Sequence, residues 1–184
     1  MSFSDCLEYG QAGESLIARW LIHRGNSILP IYEKIIDNGK GPRLFTKEGS
    51  VVAPDLITFN GKSVVFVEAK RKSGFTWHRV SGKWTTGIDR HHYREYLRLE
   101  KLLSIPVWLL FLQHGKQTKD CPAGLNQPSG LFAGDLSRLA NCVNHEHQGW
   151  GAYGMVYWAE SSLKKLDTIE GVTSVRTFKN HSSN

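Results

Sequence analysis

Cysteine is scarce in this chain and odd in number: Cys6, Cys121 and Cys142 lie far apart, which argues against a disulfide framework and for reduced thiols. No apolar run approaches the roughly 20 residues that cross a bilayer, and the opening MSFSDCLEYG has neither the basic region nor the apolar core of a secretory signal. A cytoplasmic protein with no membrane partner is expected. Internal repeats and low-complexity linkers are absent, which argues against a repeat array. Acidic residues are in the minority, 17 against 23 lysines and arginines, giving a formal charge of +6. Such an excess suits a polyanionic partner, because basic side chains gain affinity by displacing counterions from phosphates. At 184 residues, 40% of them hydrophobic, the chain has the size of one globular domain with a sizeable core.

The most informative stretch is 54–70, PDLITFNGKSVVFVEAK. Two β-rich runs flank Asn60-Gly61, a dipeptide that supplies the positive φ angles of a two-residue hairpin turn. With those two residues as the loop, Phe59 sits opposite Lys62 and Asp55 opposite Phe66. Opposite residues share a face and so do alternate ones, so Asp55, Glu68 and Lys70 are expected to project together. Asp55 and Glu68 become diagonal neighbours, roughly 7 to 8 Å apart at the backbone. Two carboxylates at that spacing can reach one hard cation, and magnesium accepts carboxylate, carbonyl and phosphate oxygens while keeping several waters. The competing reading is a surface hairpin with an ordinary Glu-Lys pair. The combination favours the site, with a Pro-Asp on one strand, Glu-Ala-Lys on the next, matching parity and an apolar run before each acid; a register slip of one residue would turn Asp55 to the opposite face.

Pro54-Asp55, a hairpin spacer and Glu68-Ala69-Lys70 together resemble the signature of the PD-(D/E)XK nuclease superfamily, over about 5–112. The resemblance implies a restriction-endonuclease-like α/β fold, with a helix, a strand, a hairpin, a helix and a strand around a mixed sheet flanked by helices. It also implies hydrolysis of DNA phosphodiester bonds with magnesium, or manganese as a substitute. Asp55, Glu68 and Lys70 are then catalytic, and Asp55, Glu68 and the Ala69 carbonyl hold the metal. Many members, archaeal Holliday junction resolvases among them, carry a glutamate on the first helix, where Glu14 stands here, so the resemblance adds Glu14 to the metal set, in the water shell or at a second ion. A catalytically inactive DNA-binding module of the same fold is the alternative, and a homodimer is compatible with the small size.

Helical spacing predicts a helix over 5–23, with Glu14 on the side of Ile17, Ala18 and Leu21. A strand is expected over 27–32, followed by a basic, glycine-rich loop whose Lys40 and Arg43 are candidate phosphate contacts. Arg71, Lys72, His78, Arg79, Arg90 and His92 extend this nucleic-acid-binding set. Phe75, Trp77 and Trp84 lie among them, either to stack on bases or to pack over a hairpin centred on Ser81-Gly82. A helix is expected over 89–104, with Asp89 as N-cap and Tyr93, Tyr96, Leu97 and Leu103 on one face. VWLLFL should be a buried strand. Residues 113–148 read as loop with a short helix in LFAGDLSRLANCV, 152–158 as an edge strand, and 162–166 as a helical turn. Cys142, His145 and His147, with Cys121, invite a zinc site, although their spacing is not a common one.

Overall fold

The computed structural model describes residues 3–31, 42–47, 49–116, 121–149 and 154–175, without the side chains of 3–7. Lys40 and Tyr32 therefore lie outside the described residues. In chain order the elements are α1 (Phe3–His23), β1 (Ser27–Pro30), β2 (Arg43–Thr46), β3 (Gly49–Val52), β4 (Leu56–Asn60), β5 (Ser63–Lys72), β6 (Thr76–His78), β7 (Lys83–Asp89), α2 (Arg90–Leu103) and β8 (Val107–Gln113). After these come β9 (Gly130–Asp135), α3 (Leu136–Ala140), β10 (Val143–His147), β11 (Met155–Ala159), a 3-10 turn (Glu160–Ser162), β12 (Lys164–Asp167) and α4 (Ile169–Thr173).

A six-stranded mixed sheet runs β1-β4-β5-β8-β9-β12. Only β5 and β8 pair in parallel within it. Their parallel pairing requires a crossover, which β6, β7 and α2 supply. β8 is covered on both faces, and this is why its sequence is continuously apolar rather than alternating. Val107, Leu109 and Phe111 enter one core with Tyr96 and Leu99 of α2, while Leu110 and Leu112 enter another with Ile17, Trp20 and Leu21 of α1. The expected mixed α/β architecture, a central sheet flanked by helices, is what the chain adopts.

Several local expectations are corrected. β4 and β5 pair Asn60 with Ser63, so the loop residues are Gly61 and Lys62, not Asn60 and Gly61. Gly61 takes φ +59, whereas Lys62 is not among the non-glycine residues of positive φ. That combination fits a turn needing a positive φ at its first central position only, which glycine fills. Register moves by two residues, a whole side-chain period, and the face of every residue is preserved.

The helix of 89–104 buries Tyr96 and Leu99, and Leu103 is exposed at its end. LFAGD is a buried strand of the central sheet rather than helix. Asp135 ends it and caps α3, its side chain accepting from Arg138 N at 2.9 Å. The helical turn expected at 162–166 falls two residues earlier and is followed by β12. β11 is no edge strand, because it lies between β10 and β7 in a second, four-stranded antiparallel sheet that the sequence did not announce. This sheet packs Ile88, Val156 and Trp158 onto the α2 side of the central sheet.

Candidate active site

Glu68 sits in the middle of β5, on the face turned towards α2, and is 1% exposed. A carboxylate there needs partners, and it has two. Tyr96 Oη donates to Glu68 Oε2 at 2.7 Å, and the Lys70 ammonium pairs with Glu68 Oε1. Lys70 projects on the same side because it is two residues further along the strand. Asp55 lies at the bend before β4, at the level of Glu68, since Leu56 pairs with Val67. Its backbone is clamped by Ile31 N donating to Asp55 O at 2.9 Å, and its side chain by Ala69 N donating to Oδ2 at 2.9 Å. The three side chains expected to meet therefore do meet.

Burial pushes the Asp55 carboxyl up to about 7, and the neighbouring Glu68 charge adds to the rise against the opposing pull of Lys70 and the Ala69 N–H. For Glu68, burial also acts upward. The Lys70 charge, hydrogen bonds from Lys70 and Tyr96, and the charge of His92 override it and hold the group below the usual glutamate range. Burial acts to lower Lys70, but Glu68 and Asp55 outweigh it and keep the ammonium above its ordinary value. Glu14, half-buried on α1, is raised chiefly by burial, with Glu68 adding and Lys70 opposing. Three carboxylates thus share one lysine, and Asp55 bears the cost of the imbalance.

Such a donor set fits a hard divalent cation, which would neutralise the uncompensated charge. Among the described residues no three of His, Cys, Asp and Glu form a group able to hold a metal by themselves. Asp55 and Glu68 are accordingly the protein carboxylates of the candidate site. The Ala69 carbonyl would join them and waters would fill the remaining positions, as magnesium commonly has it. Glu14, on α1, is coupled to the same cluster through the charges of Lys70 and Glu68. The same absence leaves the zinc reading of Cys142, His145 and His147 without a cluster. Cys142 Sγ instead donates to Arg138 O at 3.4 Å.

The residues expected to bind nucleic acid scatter. His92 is stacked on Tyr96 one turn away at 5.7 Å, with a buried Nδ1 that has no hydrogen-bond partner and a pKa lowered first by burial. Lys72 shares the face of Lys70 and is lowered by burial and by Lys70, against Asp89. Arg71 points to the opposite face, where its guanidinium lies 4.0 Å from the Tyr9 ring centroid and its Nε donates to His114 Nε2 at 2.9 Å. Arg43 donates to Ser50 within the β2–β3 ribbon, and Arg90 pairs with Glu146 at 3.4 Å. Arg79 is exposed at the tip of the β6–β7 hairpin.

The aromatics of this stretch pack against protein partners. Phe75 is 1% exposed and packs edge-on against Phe132 at 5.1 Å, while Trp77 and Trp84 are cross-strand partners 5.0 Å apart. The periodicity of α2 puts Tyr96 near the site but does not encode its bond to Glu68. Asp89, the expected N-cap, makes no side-chain cap bond and instead exerts its charge on Lys72, His92 and Tyr96.

No family model matches this chain, and no curated protein matches it. Among solved structures it is similar to that of Archaeoglobus fulgidus Hjc, a Holliday junction resolvase from an archaeal hyperthermophile. The TM-score is 0.48 and the identity 8%, over 83% of this chain and 90% of that one.

Proposed function

We propose that the protein is a magnesium-dependent nuclease that hydrolyses phosphodiester bonds of DNA. The observation that carries this reading is the convergence of Asp55, Glu68 and Lys70 on one face of the β4–β5 hairpin, where burial, and after it the Glu68 charge, push the aspartate up to about 7. Asp55, Glu68 and the Ala69 carbonyl would hold the ion. When bound, the ion supplies a Lewis acid for the scissile phosphate and lowers the pKa of a water. Lys70, held cationic by its two acids, orients the attacking water and steadies the negative charge that develops on the phosphate. Tyr96 fixes the Glu68 carboxylate, and His92 lines the approach from α2.

Incubating the protein with supercoiled plasmid, linear duplex, single strand and four-way junction, with and without Mg²⁺, tests the proposal. Metal-dependent product from the native protein and none from folded Glu68→Ala is the expected result. Full activity in purified Glu68→Ala would reject the assignment.

A further inference from the structure

The outer face of the four-stranded sheet carries three flat rings that neither the core nor the carboxylate cluster uses. His145 of β10 and its cross-strand partner Tyr157 of β11 are stacked, with centroids 4.5 Å apart and planes 4° from parallel. His78 of β6 stacks on His145 at 3.8 Å and 8°. Tyr157 has room because β7 presents Gly87 beside it, where a Cβ would stand 2.9 Å from Tyr157 Cδ1.

Hydrogen bonds fix the rings. Asn144 Oδ1 takes the Ser81 hydroxyl at 3.2 Å and His145 Nδ1 at 2.8 Å, and Ser81 Oγ lies 2.8 Å from His78 Nδ1. An amide oxygen has no proton to give, so His145 donates from Nδ1. The Ser81 proton is directed at Asn144, so His78 donates from Nδ1 as well. Both rings are held in one tautomer, with each Nε2 left outside this network.

Together with Trp77, Thr85 and His147, the three rings line a pocket of about 240 Å³. Its border is basic: Lys83 is exposed directly across from His78, and Arg79 is exposed in the same hairpin. Asp89 joins this face to the carboxylate cluster, because its charge bears on Tyr157 as well as on His92 and Lys72.

Flat rings beside cations suit a nucleotide whose base has an open face. In a duplex that face is covered by the neighbouring pairs, so a stacking platform selects single-stranded segments. We propose that this sheet face holds an unpaired stretch of the nucleic-acid substrate, a base stacking at the His78 end of the His78–His145–Tyr157 series with its phosphate at Lys83. The enzyme then acts on DNA that carries a single-stranded segment. This rests on the nuclease reading for its purpose, but the binding is measurable without cleavage.

The test uses the full chain in EDTA with a short oligothymidylate carrying one 2-aminopurine, against the same strand annealed into blunt duplex. The wild type should bind the single strand at least tenfold more tightly than the duplex and quench the 2-aminopurine by stacking. His78→Ala should weaken single-strand binding about tenfold and abolish the quench, the loss expected when one stacking face is removed. His78→Tyr, which keeps a ring, should retain the quench. Lys83→Glu, exposed and outside the core, should weaken binding without lowering the melting temperature. Equal affinity for single strand and duplex, or unchanged quenching in a folded His78→Ala protein, would overturn the platform. Those results leave the nuclease reading standing, since that reading falls only with the Glu68 cleavage experiment.

Discussion

Tyr96 Oη and Glu68 Oε2 stand 2.7 Å apart across the gap between α2 and β5, with both residues 1% exposed. A hydrogen bond to a buried carboxylate is among the stronger kinds. Tyr96→Phe keeps the ring and removes only the donor. Thermal unfolding followed by circular dichroism should report a loss of about 2 kcal/mol, roughly 4–8 °C for a chain of this size. Cleavage should slow as well, because Glu68 loses the contact that orients it.

Glu68 and Lys70 depend on each other. Lys70→Ala leaves a carboxylate that is 1% exposed without its cation, and breaking a buried pair costs about 3–5 kcal/mol. The Lys70 side chain is 30% exposed, so the lower end of that range is expected. The double variant Glu68→Gln, Lys70→Met removes both charges together. It should melt closer to the wild type than Lys70→Ala does while giving no metal-dependent product, which separates a lost fold from lost chemistry.

Asp55 makes metal-free stability depend on pH. Its folded value of about 7 stands above the 3.8 of an unperturbed aspartate, so between these the folded protein keeps a proton that the unfolded chain has released. Stability from this group is therefore full below pH 3.8 and declines as pH rises towards about 7. Glu68, lowered on folding, works in the opposite direction at acid pH, so the Asp55 share is read from the difference between wild type and Asp55→Asn. Magnesium binds the ionised form and should raise the melting temperature more at alkaline than at acid pH. Scanning fluorimetry across pH, with and without Mg²⁺, measures both effects; absence of any stabilisation by the ion would remove the metal from the proposal.

Gly13 lets α1 lie directly on β5. A Cβ at this position would fall inside contact distance of Arg71 Cβ, with Arg71 Cδ at 2.9 Å. Gly13→Ala improves helix propensity yet should destabilise the protein by about 1–3 kcal/mol through overpacking. Because Glu14 is the next residue, cleavage should fall as the helix is displaced. A denaturant titration alongside the plasmid assay would detect both changes.

Much of the centre was legible because its determinants are local. Alternation along β5 puts Glu68 and Lys70 on one side whatever the partner strand does, and the expected turn was wrong by a full period, which returned Asp55 to the same face. A one-residue error would have reversed it. VWLLFL was readable because a strand covered on both sides shows no alternation. LFAGD was not, since its glycine and aspartate break the strand signal and only burial between β8 and β12 explains the assignment.

By itself the sequence determined which side chains share a strand face, that β4 and β5 form a hairpin and which run is buried twice, since these follow from periodicity within a few residues. Only the tertiary structure decided that Tyr96 would hold Glu68, that Arg71 would turn away from the candidate site, and that His78 would lie on His145. Such contacts join segments distant along the chain, and their partners are selected by how strands from both halves pack against α2, which no local spacing encodes.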